Sequence, residues 1–146
     1  MADEYVDQLS IFLENKKGRL FNTLDIIEEL DINIRALSIA DTSEFGILRL
    51  IVTDPHKVKE KLEENNFIVK ITKVLAVSIT DEPGGLNKVL KVLDDNNINL
   101  EYLYAFVEKK TYNAIVILRL ENMEEGLKIL KEGNSEIISP EEIYSM

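Results

Sequence analysis

Leu9-Ser10-Ile11-Phe12-Leu13-Glu14-Asn15-Lys16-Lys17-Gly18-Arg19-Leu20 and Leu75-Ala76-Val77-Ser78-Ile79-Thr80-Asp81-Glu82-Pro83-Gly84-Gly85-Leu86 carry one pattern twice, 66 residues apart. Each begins with an alternating stretch. Leu9, Ile11 and Leu13 point one way and Ser10 and Phe12 the other, as in a half-buried strand. A polar loop and a glycine follow, then an apolar helical stretch. The offset persists to Ile32-Asn33-Ile34 and Ile98-Asn99-Leu100. A unit of this size is too long for a solenoid repeat and suits a small α+β module. A site built in one copy therefore has a counterpart in the other.

Working outward, residues 19–30 place Leu20, Leu24 and Ile27 at helical spacing, backed by Phe21 and Leu30. Residues 34–40 and 45–52 read as strands joined by a turn at 41–44. Asp54 is a helix cap, with Pro55 at the first helical position and Val58 and Leu62 as anchors. Residues 67–71 form a last strand. The second copy has a strand at 75–79 and a helix at 84–94 with Leu86, Leu90 and Leu93 on one face. A hairpin at 100–107 and 112–120 follows; its turn is longer by two, since Asp54 matches Asn122 at an offset of 68. A helix at 123–131 and a short strand at 136–138 complete the unit. Residues 139–146 are a tail in which Ser139-Pro140-Glu141-Glu142 resembles a helix start.

The order β-α-β-β-α-β is the split ferredoxin-like arrangement. The fold class is therefore α+β: two ferredoxin-like modules with antiparallel sheets, at 1–72 and at 73–146 including the tail. No Pro/Gly/Ser linker separates them, which favours a fixed mutual arrangement. On strand 100–107, Tyr102, Tyr104 and Phe106 fall on one side. That side is either core beneath the helices or an open face packed on another subunit.

The chain has 146 residues, 45% hydrophobic and 30% charged, as in a folded protein. Its net charge of -10 is shared evenly between the halves. No basic stripe exists to neutralise phosphates, which argues against nucleic-acid binding. With no cysteine and one histidine, thiol chemistry, cysteine metal sites and paired-histidine metal sites are excluded. His56 sits at a helix start, facing water. No apolar run of transmembrane length occurs, and Met1-Ala2-Asp3-Glu4 does not open a signal peptide. The expectation is a cytoplasmic protein that binds no membrane, metal or cofactor.

The loop between strand 1 and helix 1 is where chemistry concentrates. A strand runs through Asn15 or Asp81, two more residues and Gly18 or Gly84 into a helix N-terminus. Exposed N–H groups and the positive end of the helix dipole suit a carboxylate. Glycine lets a ligand approach the backbone. An Asn or Asp oxygen accepts a hydrogen bond from an ammonium. Together these describe an α-amino acid. Each loop taken alone also reads as an ordinary cap, with Pro83 in a first turn.

The two loops, their helices and the Ile-Asn-Ile or Ile-Asn-Leu that follows, set in two β-α-β-β-α-β units, resemble the ACT domain. The pattern is similar to that of stand-alone tandem ACT proteins with no attached catalytic domain. The resemblance implies regulatory modules that bind small ligands, most often amino acids, between two ACT units, with sheets side by side. By position it picks out Asn15, Lys17, Gly18, Arg19 and Leu20, with Asn33 and Ile34, as first-half ligand-binding residues. In the second half it picks out Asp81, Pro83, Gly84, Gly85 and Leu86, with Asn99 and Leu100. Asp81-Glu82-Pro83-Gly84 keeps the Asp-x-Pro-Gly form seen in many ACT domains. The first loop lacks both the Asp and the Pro and is crowded by Lys16, Lys17 and Arg19, which favours an anion or an empty site.

The leading expectation is a non-catalytic, ligand-sensing homodimer that acts on a separate metabolic enzyme or transporter. A structural or assembly subunit without ligand is the alternative. A small enzyme on a ferredoxin-like scaffold comes last, since the chain lacks a phosphate loop, a zinc signature and a catalytic histidine pair.

Overall fold

The computed structural model of the chain describes residues 4–14, 16–41 and 45–146. Its elements follow the order β1 (Val6–Glu14), α1 (Arg19–Glu29), β2 (Ile34–Asp41), β3 (Phe45–Val52), α2 (Pro55–Glu64), β4 (Ile68–Ile79), α3 (Gly85–Asp95), β5 (Leu100–Val107), β6 (Ala114–Leu120), α4 (Met123–Glu132), β7 (Glu136–Ile138) and α5 (Pro140–Ser145). Residues 42–44 of the expected turn lie outside the described residues.

Two compact units result: Asp7–Thr72, and Lys73–Met146 together with the described residues before Asp7. Glu4–Val6 thus groups with the second unit, because Tyr5 packs against that unit's core and Glu4 pairs with Lys131. Each unit is a ferredoxin-like module. In the first, antiparallel strands run in the order β2-β3-β1-β4; in the second, β5-β6-β4-β7. One long strand, β4, serves both. This accounts for the missing linker.

Register assigns the faces. Leu9 and Ile11 pair with Leu50 and Leu48, and Leu75 and Val77 pair with Leu118 and Val116. These side chains are fully or almost fully buried beneath the helices. Covering each contributes roughly 1.5–3 kcal/mol. Tyr102, Tyr104 and Phe106 pair with Arg119, Ile117 and Ile115, so they lie on the sheet face away from α3 and α4.

Both first helices turn inward a face rotated from the one expected, which keeps Ile27 in α1 and Leu93 in α3. In α1 the buried residues are Thr23 and Ile27, with Leu24, Ile26 and Leu30 packed alongside. Leu20 and Phe21 are 36% and 66% exposed. In α3 the buried residues are Gly85, Val89 and Leu93, while Leu90 is half-buried. The phases agree, since 89 and 93 stand 66 positions beyond 23 and 27. Thr23 masked this phase. Its hydroxyl donates to the Arg19 carbonyl at 2.9 Å, which satisfies it inside an apolar core.

All four long helices end on a left-handed Asp or Asn: Asp31, Asn66, Asn97 and Asn134, with φ of 56, 67, 57 and 62°. After three of them the chain closes back on the last turn: Phe67 N–H donates to Leu62, Ile98 to Leu93 and Ser135 to Leu130, at 2.9–3.0 Å. Asp54 and Asn122 cap α2 and α4 by accepting from Lys57 N–H and Glu125 N–H. Among the described residues, no helix is long and apolar enough to cross a membrane.

These burial patterns separate two substitutions that hydrophobicity alone would rank together. Leu48→Ala should destabilise the chain by about 2–5 kcal/mol, whereas Phe21→Ala should stay within about 0.5 kcal/mol. Urea unfolding of both variants checks the assigned faces.

Candidate functional site

The two strand-to-helix loops share one backbone design. Lys16 N–H donates to Glu14 O, Arg19 N–H to Lys16 O and Asn22 N–H to Gly18 O; 66 positions on, Glu82 donates to Thr80, Gly85 to Glu82 and Lys88 to Gly84. Gly18 and Gly84 are the N-caps of α1 and α3, with φ of 87° and 85°. A left-handed backbone at these points disfavours any residue with a Cβ. Neither cap offers a side-chain hydrogen bond. Arg19 and Gly85 bond back into their loops, so the N–H groups of Leu20 and Phe21, and of Leu86 and Asn87, are the ones left to water or a ligand at the positive end of each helix. In α2 and α4 the same groups are occupied by Asp54 and Asn122.

In the first module, Asn15 lies outside the described residues. Lys16 Nζ sits 2.8 Å from Glu14 Oε2. The hydrogen bond and charge of Lys16 hold the Glu14 carboxyl below its ordinary pKa. The pair therefore persists at neutral pH and is lost only as pH falls through that lowered value. The Arg19 guanidinium lies 4.5 Å from the centre of the Phe67 ring, in cation–π contact. Lys17 is exposed. A small cavity of about 150 Å³ opens here, lined by Leu13, Glu14, Lys16, Arg19, Leu20, Ile39 and Gly46.

In the second module, Asp81, Glu82, Pro83 and Gly84 are exposed, and Leu86 is half-buried against the core. Thr80 Oγ1 donates to Glu82 Oε1 at 3.0 Å and fastens the loop to the strand end. A Cβ on Gly85 would stand 2.3 Å from the Thr80 carbonyl oxygen. Glycine is thus required where the helix start presses on the strand; Arg19 occupies the matching place in the first module. The Asp81 carboxylate makes no cap bond to α3. It stands in water beside an uncapped helix start.

The remaining candidates lie elsewhere within their modules. Asn33 and Ile34 follow the C-terminal end of α1, and Asn99 and Leu100 follow that of α3. An 11-residue helix is about 16 Å long, so within one module these residues do not meet the loop. Their roles inside the module are structural: Asn99 O accepts from Glu121 N–H at 3.0 Å, while Leu100 pairs with Leu120 and Ile34 with Val52. The far end of strand 2 is what returns to the loop, bringing Ile39. That signal was available, since strand 2 starts where helix 1 stops and runs back along it. Asn99 lines two open grooves of about 520 and 720 Å³, one with Lys91 and Asp94 and one with Glu121 and Asn122. No residue from Asp81 to Leu86 lines either.

Comparison with known proteins adds to this geometry. A family model described as an ACT domain pair matches residues 4–146. A crystal structure of a protein from Bacteroides thetaiotaomicron is 39% identical, covers 98% of both chains and superposes with a TM-score of 0.92. The regulatory subunit of aspartate kinase from Thermus thermophilus, in its ligand-free form, is 13% identical over 90% of this chain and 93% of its own, with a TM-score of 0.62. The corresponding subunit from Thermus flavus is 17% identical over 88% and 94%, with a TM-score of 0.57. These two likenesses establish shared fold alone. No curated protein matches the sequence.

The uncapped start of α3 separates Asp81 from a stabilising cap. Asp81→Ala should change unfolding free energy by no more than about 0.5 kcal/mol, whereas Asn122→Ala should lose about 1 kcal/mol. Gly84→Ala should lose about 1–2 kcal/mol through left-handed strain. Equal losses for Asp81→Ala and Asn122→Ala in denaturant titrations would make Asp81 a cap after all.

Proposed function

Because the chain belongs to the ACT domain family, as a pair of such domains, we propose that it is a non-catalytic regulatory protein that binds an amino acid at its strand 1 to helix 1 loops. The observation that carries this reading is the contrast among the helix starts. Asp54 and Asn122 cap α2 and α4, while α1 and α3 begin on left-handed glycines with no side-chain cap. At α3 the exposed Asp81 stands ready for an ammonium and the helix N–H groups for a carboxylate. Pro83 stiffens that loop and lowers the entropy lost on binding.

The second loop is the amino-acid site in this reading. The first has a cationic rim, partly neutralised by Glu14, and favours an anion. Residues at the start of strand 2, Asn33 and Asn99 above all, reach a ligand only across a pairing of modules. The protein acts as a homodimer in the cytoplasm, on a separate metabolic enzyme or transporter. The ligand shifts that partner by binding one arrangement of modules better than another.

A thermal-shift screen of the common amino acids tests the proposal. At a hundredfold excess over Kd a ligand adds about 2.7 kcal/mol, which is several degrees in Tm. At least one amino acid should give such a rise, and Asp81→Ala should abolish it without lowering the unliganded Tm. A flat response across the whole screen would leave the sensing role without support.

A further inference from the structure

The small cavity at the first strand-to-helix loop is built from side chains that the second loop does not carry. Glu14, Lys16, Arg19 and Ile39 line it, and the matching positions of the second module hold Thr80, Glu82, Gly85 and Ala105. Two cations and a carboxylate thus stand where the second module has a carboxylate and no cation. The surplus cation is Arg19. Lys16 is engaged by Glu14 at 2.8 Å, whereas Arg19 makes no ion pair among the described residues. Its Nε–H is buried and finds no hydrogen-bond partner. Its guanidinium is held 4.5 Å from the centre of the Phe67 ring, a contact that fixes the charge without neutralising it.

A carboxylate answers that surplus. It can accept from the free Leu20 and Phe21 N–H groups while its charge faces Arg19. An ammonium finds no such place. Glu14 is the one carboxylate among the described lining residues, Lys16 already engages it, and an incoming ammonium meets two cations. The other walls are apolar. Leu13 is buried, and Leu20 and Ile39 are 36% and 43% exposed. An aliphatic chain lying on them removes that apolar surface from water. The cavity, of about 150 Å³, equals the liquid share of roughly five waters and suits a carboxylate of about three to five carbons.

We propose that the first strand-to-helix loop binds a short aliphatic carboxylate that carries no ammonium, a fatty acid or a 2-oxo acid. Its carboxylate sits on Arg19 and the Leu20 and Phe21 amides, and its chain lies on Leu13, Leu20 and Ile39. The proposal rests on the ligand-binding reading of the two loops and deepens it. Arg19, in the place of Gly85, turns the first site away from the amino acid that the second takes, so that one chain reads two classes of ligand.

Amide chemical-shift titrations of the full chain test it with 3-methylbutyrate, 3-methyl-2-oxobutyrate and valine, which share one carbon skeleton and differ at the carbon beside the carboxylate. Acetate and inorganic phosphate serve as controls for a bare anion. At least one of the two acids without ammonium should move the Leu20 and Phe21 amides and bind there roughly tenfold or more tighter than valine, acetate or phosphate. Which of the two binds tighter identifies the source. Arg19→Gln should weaken that binding roughly tenfold or more. Ile39→Ser should reduce the preference for the five-carbon acid over acetate and leave acetate itself unchanged. Valine or phosphate binding at these amides as tightly as either acid overturns the proposal, as does silence of both amides throughout. If Arg19→Gln fails to fold, the chain-length preference in Ile39→Ser decides, and an unchanged preference overturns the proposal. The amino-acid reading is judged at the Gly85 and Leu86 amides, so either site can fail without the other.

Discussion

The left-handed backbone at Gly18 and Gly84 is the constraint on which the rest of the architecture turns. At each, a strand must reverse into a helix that lies back across its own sheet. A φ near +85° achieves the reversal in one residue and rules out a side chain there without strain. Three hydrogen bonds recur around each glycine with the same partners, 66 positions apart. That turn sets the phase of α1 and α3, and so decides that residues 23 and 27, and their counterparts 89 and 93, enter the cores. It also places glycine where a capping oxygen would otherwise stand. The geometry that folds the module therefore leaves a helix start open.

The modules share this turn and differ in what surrounds it. Gly85 lets α3 press on the Thr80 carbonyl, and Asp81 stays exposed beside it. In the first module Arg19 takes the place of Gly85 and stacks over Phe67, while Glu14 engages Lys16. The two sites thus differ in charge and in backbone spacing. The edges differ in the same sense, since the first module carries Phe21 and Ile39 where the second carries Asn87 and Ala105.

Much of this was legible in the residues themselves. Strand alternation placed Leu9, Ile11 and Leu13 inward, Asp54 and Pro55 marked a helix start, and Gly18 and Gly84 marked the two turns. Two features were not legible, each for a physical reason. The inward face of α1 was placed off its true phase because a buried Thr23 satisfies its hydroxyl within its own helix and counts as polar in any periodicity. The face occupied by Tyr102, Tyr104 and Phe106 depends on register with β6, which no single strand contains. Asn33, Ile34, Asn99 and Leu100 lie a helix length from the loops of their own modules, which fits the expectation that they meet a ligand only from a neighbouring module. Motif spacing records order along the chain, whereas Ile39 reaches the first loop only through the antiparallel return of β2.

The central claim is that the open start of α3 seats a ligand. Amide chemical-shift mapping of the full chain during titration with the common amino acids tests it most directly. The account predicts that one of them moves the Gly84, Gly85, Leu86 and Asn87 amides most, and that Asp81→Ala removes those shifts. Shifts confined to the grooves around Asn99, or none at saturating concentrations, would contradict it.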